Sequence, residues 1–198
     1  MASEAHSRPV RPTGLAPFPA ARVNGAETAA AYCAWVTEER IAEDDPRRPE
    51  IRALLERHLT FARAQTPPEH SFALDVAGLL DPSVSLFSVR ADGSVLGIGA
   101  IKRLGPHHAE IKSMHTAEAA RGRGIGRAML AHLLDVARAR GFRRVSLETG
   151  TMAAFAPARA LYESAGFAPC GPFGGYQRSE DNMFMTLHLD TGSSLRSP

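Results

Sequence analysis

Residues 116–141 read TAEAARGRGIGRAMLAHLLDVARARG, and the way this stretch divides decides the fold. Ile125, Met129, Leu133 and Val136 recur at helical spacing and Gly141 follows them, which predicts an amphipathic helix from about residue 123 to 140. Ahead of it, RGRGIGR (Arg121–Arg127) places three glycines and three arginines where glycine costs helix stability. A helix N-terminus leaves its first N–H groups unpaired and carries the positive end of the macrodipole. Glycine lets an anion approach that backbone, and arginine surrounds it with fixed positive charge. A strand, a glycine turn and a helix therefore predict a site for a phosphate or pyrophosphate. The dinucleotide pattern GxGxxG fails, because Arg127 and Met129 stand where its last glycine would fall. The P-loop pattern lacks its lysine.

Working outward, AEIKSMHT (109–116) reads as the strand that feeds this turn, and RRVSLETG as the strand after the helix. SVSLFSVR (83–90) and SVLGIGAIKRL (94–104) are strands joined through the turn signal ADG. PEIRALLERHLTFARAQ (49–65) predicts a helix opened by proline, with Ile51, Leu54, Leu55, His58, Leu59 and Ala62 on one face. VTEERIAED (36–44) reads as a first strand and ETAAAYCAW (27–35) as a short helix. After RRVSLETG, APARALYESAGF predicts a short helix and NMFMTLHL (182–189) a last strand. The order predicts an α/β domain on a mixed sheet over residues 26–190. The proline-rich first 25 residues and residues 191–198 read as flexible extensions.

The bulk numbers agree with one globular domain: 198 residues, 44% hydrophobic and 22% charged. A net charge of +2 gives no drive toward nucleic acid or membrane. No apolar run is long enough for a membrane span, and no secretory segment is evident. The two cysteines, Cys33 and Cys170, form no CxxC pair, so neither a disulfide framework nor a zinc site is expected, and the cytoplasm is the expected compartment. His107 and His108 sit in a turn with no ligand cluster, so no metal is expected.

The spacing Arg121-x-x-Gly124-x-Gly126 resembles the acetyl-CoA signature, Q/R-x-x-G-x-G/A, of the GNAT superfamily of N-acetyltransferases. ALYESAGF (160–167) is similar to the second signature of that family, and VSLETG to the strand beside its cofactor. EIKSMHT, FAPARALYESAGF, CGPFGGY and FMTLHL resemble its YsnE-type bacterial branch. Where many members of that branch carry an acid after PFG or PFA, this chain has Gly175, so any substrate contact made by that acid is not implied here.

The resemblance spans roughly residues 41–189 and implies the GNAT fold: a mixed, mostly antiparallel sheet with helices on both faces and a splayed acetyl-CoA cleft. It implies acetyl-CoA as co-substrate, without metal, and a small amine or peptide amine as acceptor. A homodimer is compatible with it. The implied cofactor-binding residues are Met114, His115 and Thr116 on the strand edge, and Arg121, Gly122, Arg123, Gly124, Ile125, Gly126 and Arg127 in the turn.

Moving an acetyl group from a thioester to an amine requires a neutral amine, although an alkylammonium titrates near ~10.4. It also requires donors for the developing oxyanion and a proton for the departing thiolate. Glu148, near the end of VSLETG, is the first candidate for the base, and Glu110 competes with it, being as able to pair with Lys112 or face solvent. Tyr162 resembles the family's general acid. A backbone N–H near Met114 is the candidate oxyanion donor. His115 reads as a surface histidine at a strand end, Ser146 as a serine without a base, and PFGGY (172–176) as a loop able to close over the acceptor or as a plain connection. Phe155 and Arg159 lie near the site without an assignable role. The direct-transfer enzyme has one alternative from another class, a non-catalytic acyl-CoA-binding module, which would need neither Glu148 nor Tyr162.

Overall fold

The computed structural model describes residues 41–65 and 74–189. The expected extensions, the helix over 27–35 and the first half of the strand over 36–44 lie outside them. Seven strands form one sheet in the order β1-β2-β3-β4-β5-β7-β6. They are β1 (Ile41–Glu43), β2 (Val84–Ala91), β3 (Ser94–Gly105), β4 (His108–Thr116), β5 (Arg144–Gly150), β6 (Ala168–Pro169) and β7 (Asn182–His188). All neighbours are antiparallel except β4 and β5, which run parallel. A parallel pair needs a crossover, and helix α3 (Ile125–Ala139) supplies it. This is the mixed α/β sheet that the element order predicts, mostly antiparallel as the family resemblance implies.

Two layers of helix cover the sheet. Helix α1 (Pro49–Gln65) and the short α2 (Val76–Leu79) pack Ile51, Leu54, Leu55 and Leu79 on Leu86, Ile98 and Ala100. On the other face, α3 and α4 (Ala156–Ser164) bury Ile125, Met129, Leu133 and Tyr162 against Ile101, Ile111, Val145 and Leu147. Val136, expected in the buried stripe of α3, is only half-buried, and Ala137 takes the fully buried place.

Both helices of the second layer end by the same device. In α3 the N–H of Gly141 (φ +76°) bonds Arg138 and that of Phe142 bonds Ala137, each at 3.0 Å. In α4, Gly166 (φ +91°) bonds Glu163 at 2.9 Å and Phe167 bonds Tyr162 at 3.1 Å. This paired closure satisfies the last carbonyls and turns an apolar residue back on the helix. In α4 that residue is Phe167, whose ring meets Tyr162 at 6.0 Å. The spacing of Tyr162, Gly166 and Phe167 is thus a structural rule for holding the tyrosine in place.

The sheet is irregular at one point that matters. The β3–β4 register slips between Ile98↔His115 and Ala100↔Lys112, which leaves an extra residue in β4. Ser113 there has φ +53°, a left-handed conformation uncommon for a residue with a side chain. Opposite it, Gly99 has no room for a Cβ, which would lie 2.8 Å from Met129 and 2.9 Å from the Met114 sulfur. Glycine at 99 lets α3 and the bulged strand approach the sheet together.

Candidate active site

Beyond the bulge, β4 and β5 part. Their parallel pairing runs from His108↔Arg144 to Ile111↔Leu147 and stops. The rest of β4 stays paired with β3 through Ile98↔His115 and Gly97↔Thr116. The rest of β5 stays paired with β7 through Glu148↔Phe184, Thr149↔Met183 and Gly150↔Asn182. Each strand is held from its outer side while the inner edges face one another without bonds, which makes a V-shaped cleft. A bulge bends its strand and ends pairing, so the bulge at Ser113 accounts for the split. The free edge of β4 at Met114, His115 and Thr116 can pair with an extended ligand as a strand would.

The chain leaves β4 at the mouth of this cleft and enters a turn before α3. Gly122 and Gly124 adopt φ +72° and +81°, and a Cβ on Gly122 would meet nothing within 4 Å. Gly124 is the residue before α3, and no side chain caps its N-terminus. The first N–H groups of α3 are therefore open, with Arg121, Arg123 and Arg127 exposed around them. At Gly126 α3 lies near β4 and α4, and a Cβ there would make ordinary contact, 3.5 Å from both Thr116 Oγ1 and the Leu161 side chain. This cradle fits a pyrophosphate at the helix end and an extended arm along β4.

Glu148 and Tyr162 stand on the β5 side of the split. The Glu148 carboxyl makes no hydrogen bond or ion pair among the described residues. Burial pushes its carboxyl up to about 7; Lys112 pulls the other way, and the charge of Glu110 adds to the rise. Tyr162 is buried, and desolvation, with Glu148 nearby, raises its phenol well above the ordinary tyrosine range. It stays protonated at any working pH. Phe155 lies over Gly150, close enough that a Cβ on this glycine would collide with the ring. Phe61 of α1 meets Phe155 edge-on at 5.3 Å. Arg159 binds the carbonyls of Gly150 at 2.7 Å and Met152 at 3.0 Å, so it holds the end of β5.

The competing acid, Glu110, is buried at 2% exposure, which decides against a solvent-facing role. It pairs with Lys112 at 3.1 Å and accepts a hydrogen bond from the Tyr176 hydroxyl at 2.6 Å. Lys112 and Tyr176 escape a reading of motifs, although Lys112 is one of only two lysines in the chain and Tyr176 closes the glycine loop. His115 is not the surface histidine expected. It is half-buried with its ring 5.2 Å from His58 of α1, whose Nδ1 is buried without a hydrogen-bond partner among the described residues. Burial pushes both imidazoles down to about 4, so both are neutral at pH 7. Arg121 contributes to the shift of His115, which links the glycine turn to the end of β4. Ser146 does have a histidine beside it, His108 Nε2 at 2.8 Å, and also Thr186 at 3.0 Å. It lies next to Glu110 where the strands are still paired, outside the cleft. Among the described residues no three His, Cys, Asp or Glu side chains are grouped to hold a metal, and no helix is long and apolar enough to cross a membrane.

Comparison with known proteins bears on this arrangement. The sequence model of the acetyltransferase (GNAT) family matches residues 48–167. The chain is 41% identical over 155 residues to the uncharacterized N-acetyltransferase YedL of Escherichia coli K12, across 78% of this chain and 98% of that protein. It is 39% identical over 146 residues to the uncharacterized N-acetyltransferase YsnE of Bacillus subtilis 168, across 74% and 97%. A Bacillus subtilis acetyltransferase solved in complex with CoA aligns with a TM-score of 0.58 over 76% of this chain and 98% of its own. At 17% identity, that likeness is one of fold.

Proposed function

The chain belongs to the GNAT family of acetyltransferases and is an acetyl-CoA-dependent acyltransferase, and from that premise we propose that it moves the acetyl group directly to a primary amine in a ternary complex. One observation carries the reading: the split of β4 and β5 has an uncapped, glycine-headed helix at its mouth and an unpaired carboxyl on its wall. When bound, acetyl-CoA supplies the activated acetyl group. The N–H groups at the head of α3 and Arg121, Arg123 and Arg127 hold its pyrophosphate. The edge of β4 from Met114 to Thr116 takes the pantetheine arm, and the N–H near Met114 is the donor to the oxyanion. Glu148 accepts the proton from the amine nitrogen, and the Tyr162 hydroxyl donates toward the departing sulfur. No nucleophile of the protein is required.

The charge of the cleft narrows the acceptor. Lys112 balances Glu110, which leaves Glu148 as the carboxyl of the cleft wall, among the described residues, that can meet a cation. Phe61 and Phe155 offer apolar surface on the same side of the sheet. These features favour an acceptor with one amine and an apolar body over a polycation. Release of coenzyme A thiol from acetyl-CoA across a panel of monoamines, amino acids, peptides and polyamines tests this. Amine-dependent release is expected, strongest with apolar monoamines. Release equal with and without amine would overturn direct transfer, and preference for polyamines would overturn the acceptor class.

Tyr162→Phe removes the hydroxyl and keeps the ring on Phe167. A fall in kcat of about 10- to 100-fold with acetyl-CoA affinity nearly intact is the expected result in a steady-state and binding comparison. Wild-type turnover would remove the tyrosine from the mechanism.

A further inference from the structure

Two glutamates and one lysine lie where β4 and β5 begin to part, Glu110 in the last paired stretch and Glu148 just beyond it, and something must decide which carboxylate the lysine takes. Continuing the β4–β5 register past Ile111↔Leu147 would put Lys112 directly beside Glu148. Opposite charges across neighbouring strands normally pair. Here they do not. The Lys112 ammonium instead lies 3.1 Å from Glu110 Oε1 and donates to the Tyr176 hydroxyl at 2.5 Å. The same hydroxyl donates to Glu110 Oε1 at 2.6 Å, and the Tyr176 ring centroid lies 5.1 Å from the Lys112 nitrogen. One tyrosine thus closes a triangle with both partners.

The loop that delivers Tyr176 is built to hold it. Gly174 and Gly175 adopt φ +57° and +90°, and the Tyr176 N–H bonds the Phe173 carbonyl at 3.0 Å. Phe173 packs against His108, Tyr176 and Phe184 at 5.4 to 5.7 Å, and Tyr176 also meets Phe184 at 5.8 Å. The two glycines give the tight turn, and the aromatic cluster anchors it on β7.

We propose that Tyr176, Glu110 and Lys112 form a positioning triad that keeps the Lys112 ammonium on Glu110 and off Glu148, leaving Glu148 as the unpaired carboxyl of the cleft. The inference rests on the reading of Glu148 as base. In a buried site an ammonium pairs with whichever carboxylate the surrounding hydrogen bonds favour. The triad satisfies Glu110 and Lys112 as a neutral unit. Were Lys112 to turn to Glu148, Glu110 would become the unpaired acid and Glu148 would hold its charge without taking a proton. The groups near Glu148 are Glu110 and Lys112 on β4, Tyr176 of the loop and Tyr162 of α4. His58 of α1, neutral at pH 7, faces Lys112.

Carbon-13 NMR titration of the glutamate carboxyls reads the Glu148 midpoint directly, with Glu148→Gln assigning its signal. Tyr176→Phe keeps the ring and removes only the hydroxyl. Lys112 is then free to reach Glu148, and the midpoint is expected to fall by about one pH unit or more. Lys112→Met is expected to raise it, and the double variant is expected to match Lys112→Met alone, because Tyr176 acts through the lysine. An unmoved midpoint in Tyr176→Phe, or the same downward shift in the double variant, would overturn the triad. The pH–rate profile, measured on the same variants, separates the two readings. A midpoint that moves while the acid limb of activity stays in place supports the triad and overturns Glu148 as base.

Discussion

Glu148→Gln is expected to lower kcat/KM by about two orders of magnitude at pH 7.5 and to remove the acid limb of the wild-type profile. With Glu148 as the proposed base, the limb follows its carboxyl, which burial pushes up to about 7 against the opposing pull of Lys112. Below that pH Glu148 holds a proton and cannot take one from the amine; above it the carboxylate is free. Stability should move the opposite way. A carboxyl whose folded pKa exceeds its unfolded value binds more protons when folded, so stability falls as pH rises from about 4.5 to about 7. Glutamine escapes this loss, and the variant is expected to be more stable than wild type at pH 8 by up to about 3 kcal/mol. Urea unfolding at pH 5 and pH 8 checks it. A profile that keeps its limb in Glu148→Gln would pass the base to solvent.

Gly124→Glu is expected to weaken acetyl-CoA binding by at least about 100-fold, the loss of roughly 3 kcal/mol. Two causes act together. The residue stands at φ +81° ahead of α3, where a side chain is strained. The new carboxylate also lies at the open helix end and competes with the pyrophosphate for the same N–H groups. Gly124→Asn separates the causes, since asparagine tolerates left-handed backbone and adds no charge. Its binding is expected to stay within about tenfold of wild type. Calorimetric titration with acetyl-CoA reads both, and wild-type affinity in Gly124→Glu would defeat the phosphate role of the turn.

Much of the fold was legible in local pattern. The helix over 49–65 and the strands near 83–90, 94–104, 109–116 and 182–189 appear where periodicity put them, within a residue or two. Helix α2 and strand β6 were not foreseen, being four and two residues long and too short for any period to register. The Gly-Arg turn was legible because its backbone needs are local: two left-handed glycines and an uncapped helix end. Tyr162 was singled out by the resemblance that ALYESAGF carries, and Gly166 and Phe167, which hold its ring in place, lie only a few residues away. Glu110 was not. Whether it faces solvent, Lys112 or substrate depends on Tyr176, 66 positions along the chain. His115 was misjudged for the same reason, because the ring it packs against, His58, comes from helix α1, far away in the chain.

The sequence alone therefore determined the longer elements, their order and the glycine turn ahead of α3, because helix periods, strand alternation and glycine dihedrals are set by near neighbours. Only the tertiary structure decided where β4 and β5 separate and which glutamate the buried lysine takes. Those outcomes depend on a bulge matched to Gly99 across the sheet and on a hydroxyl brought in by a distant loop. Burial and charge pairing are properties of the assembled interior, where residues far apart in the chain set each other's surroundings.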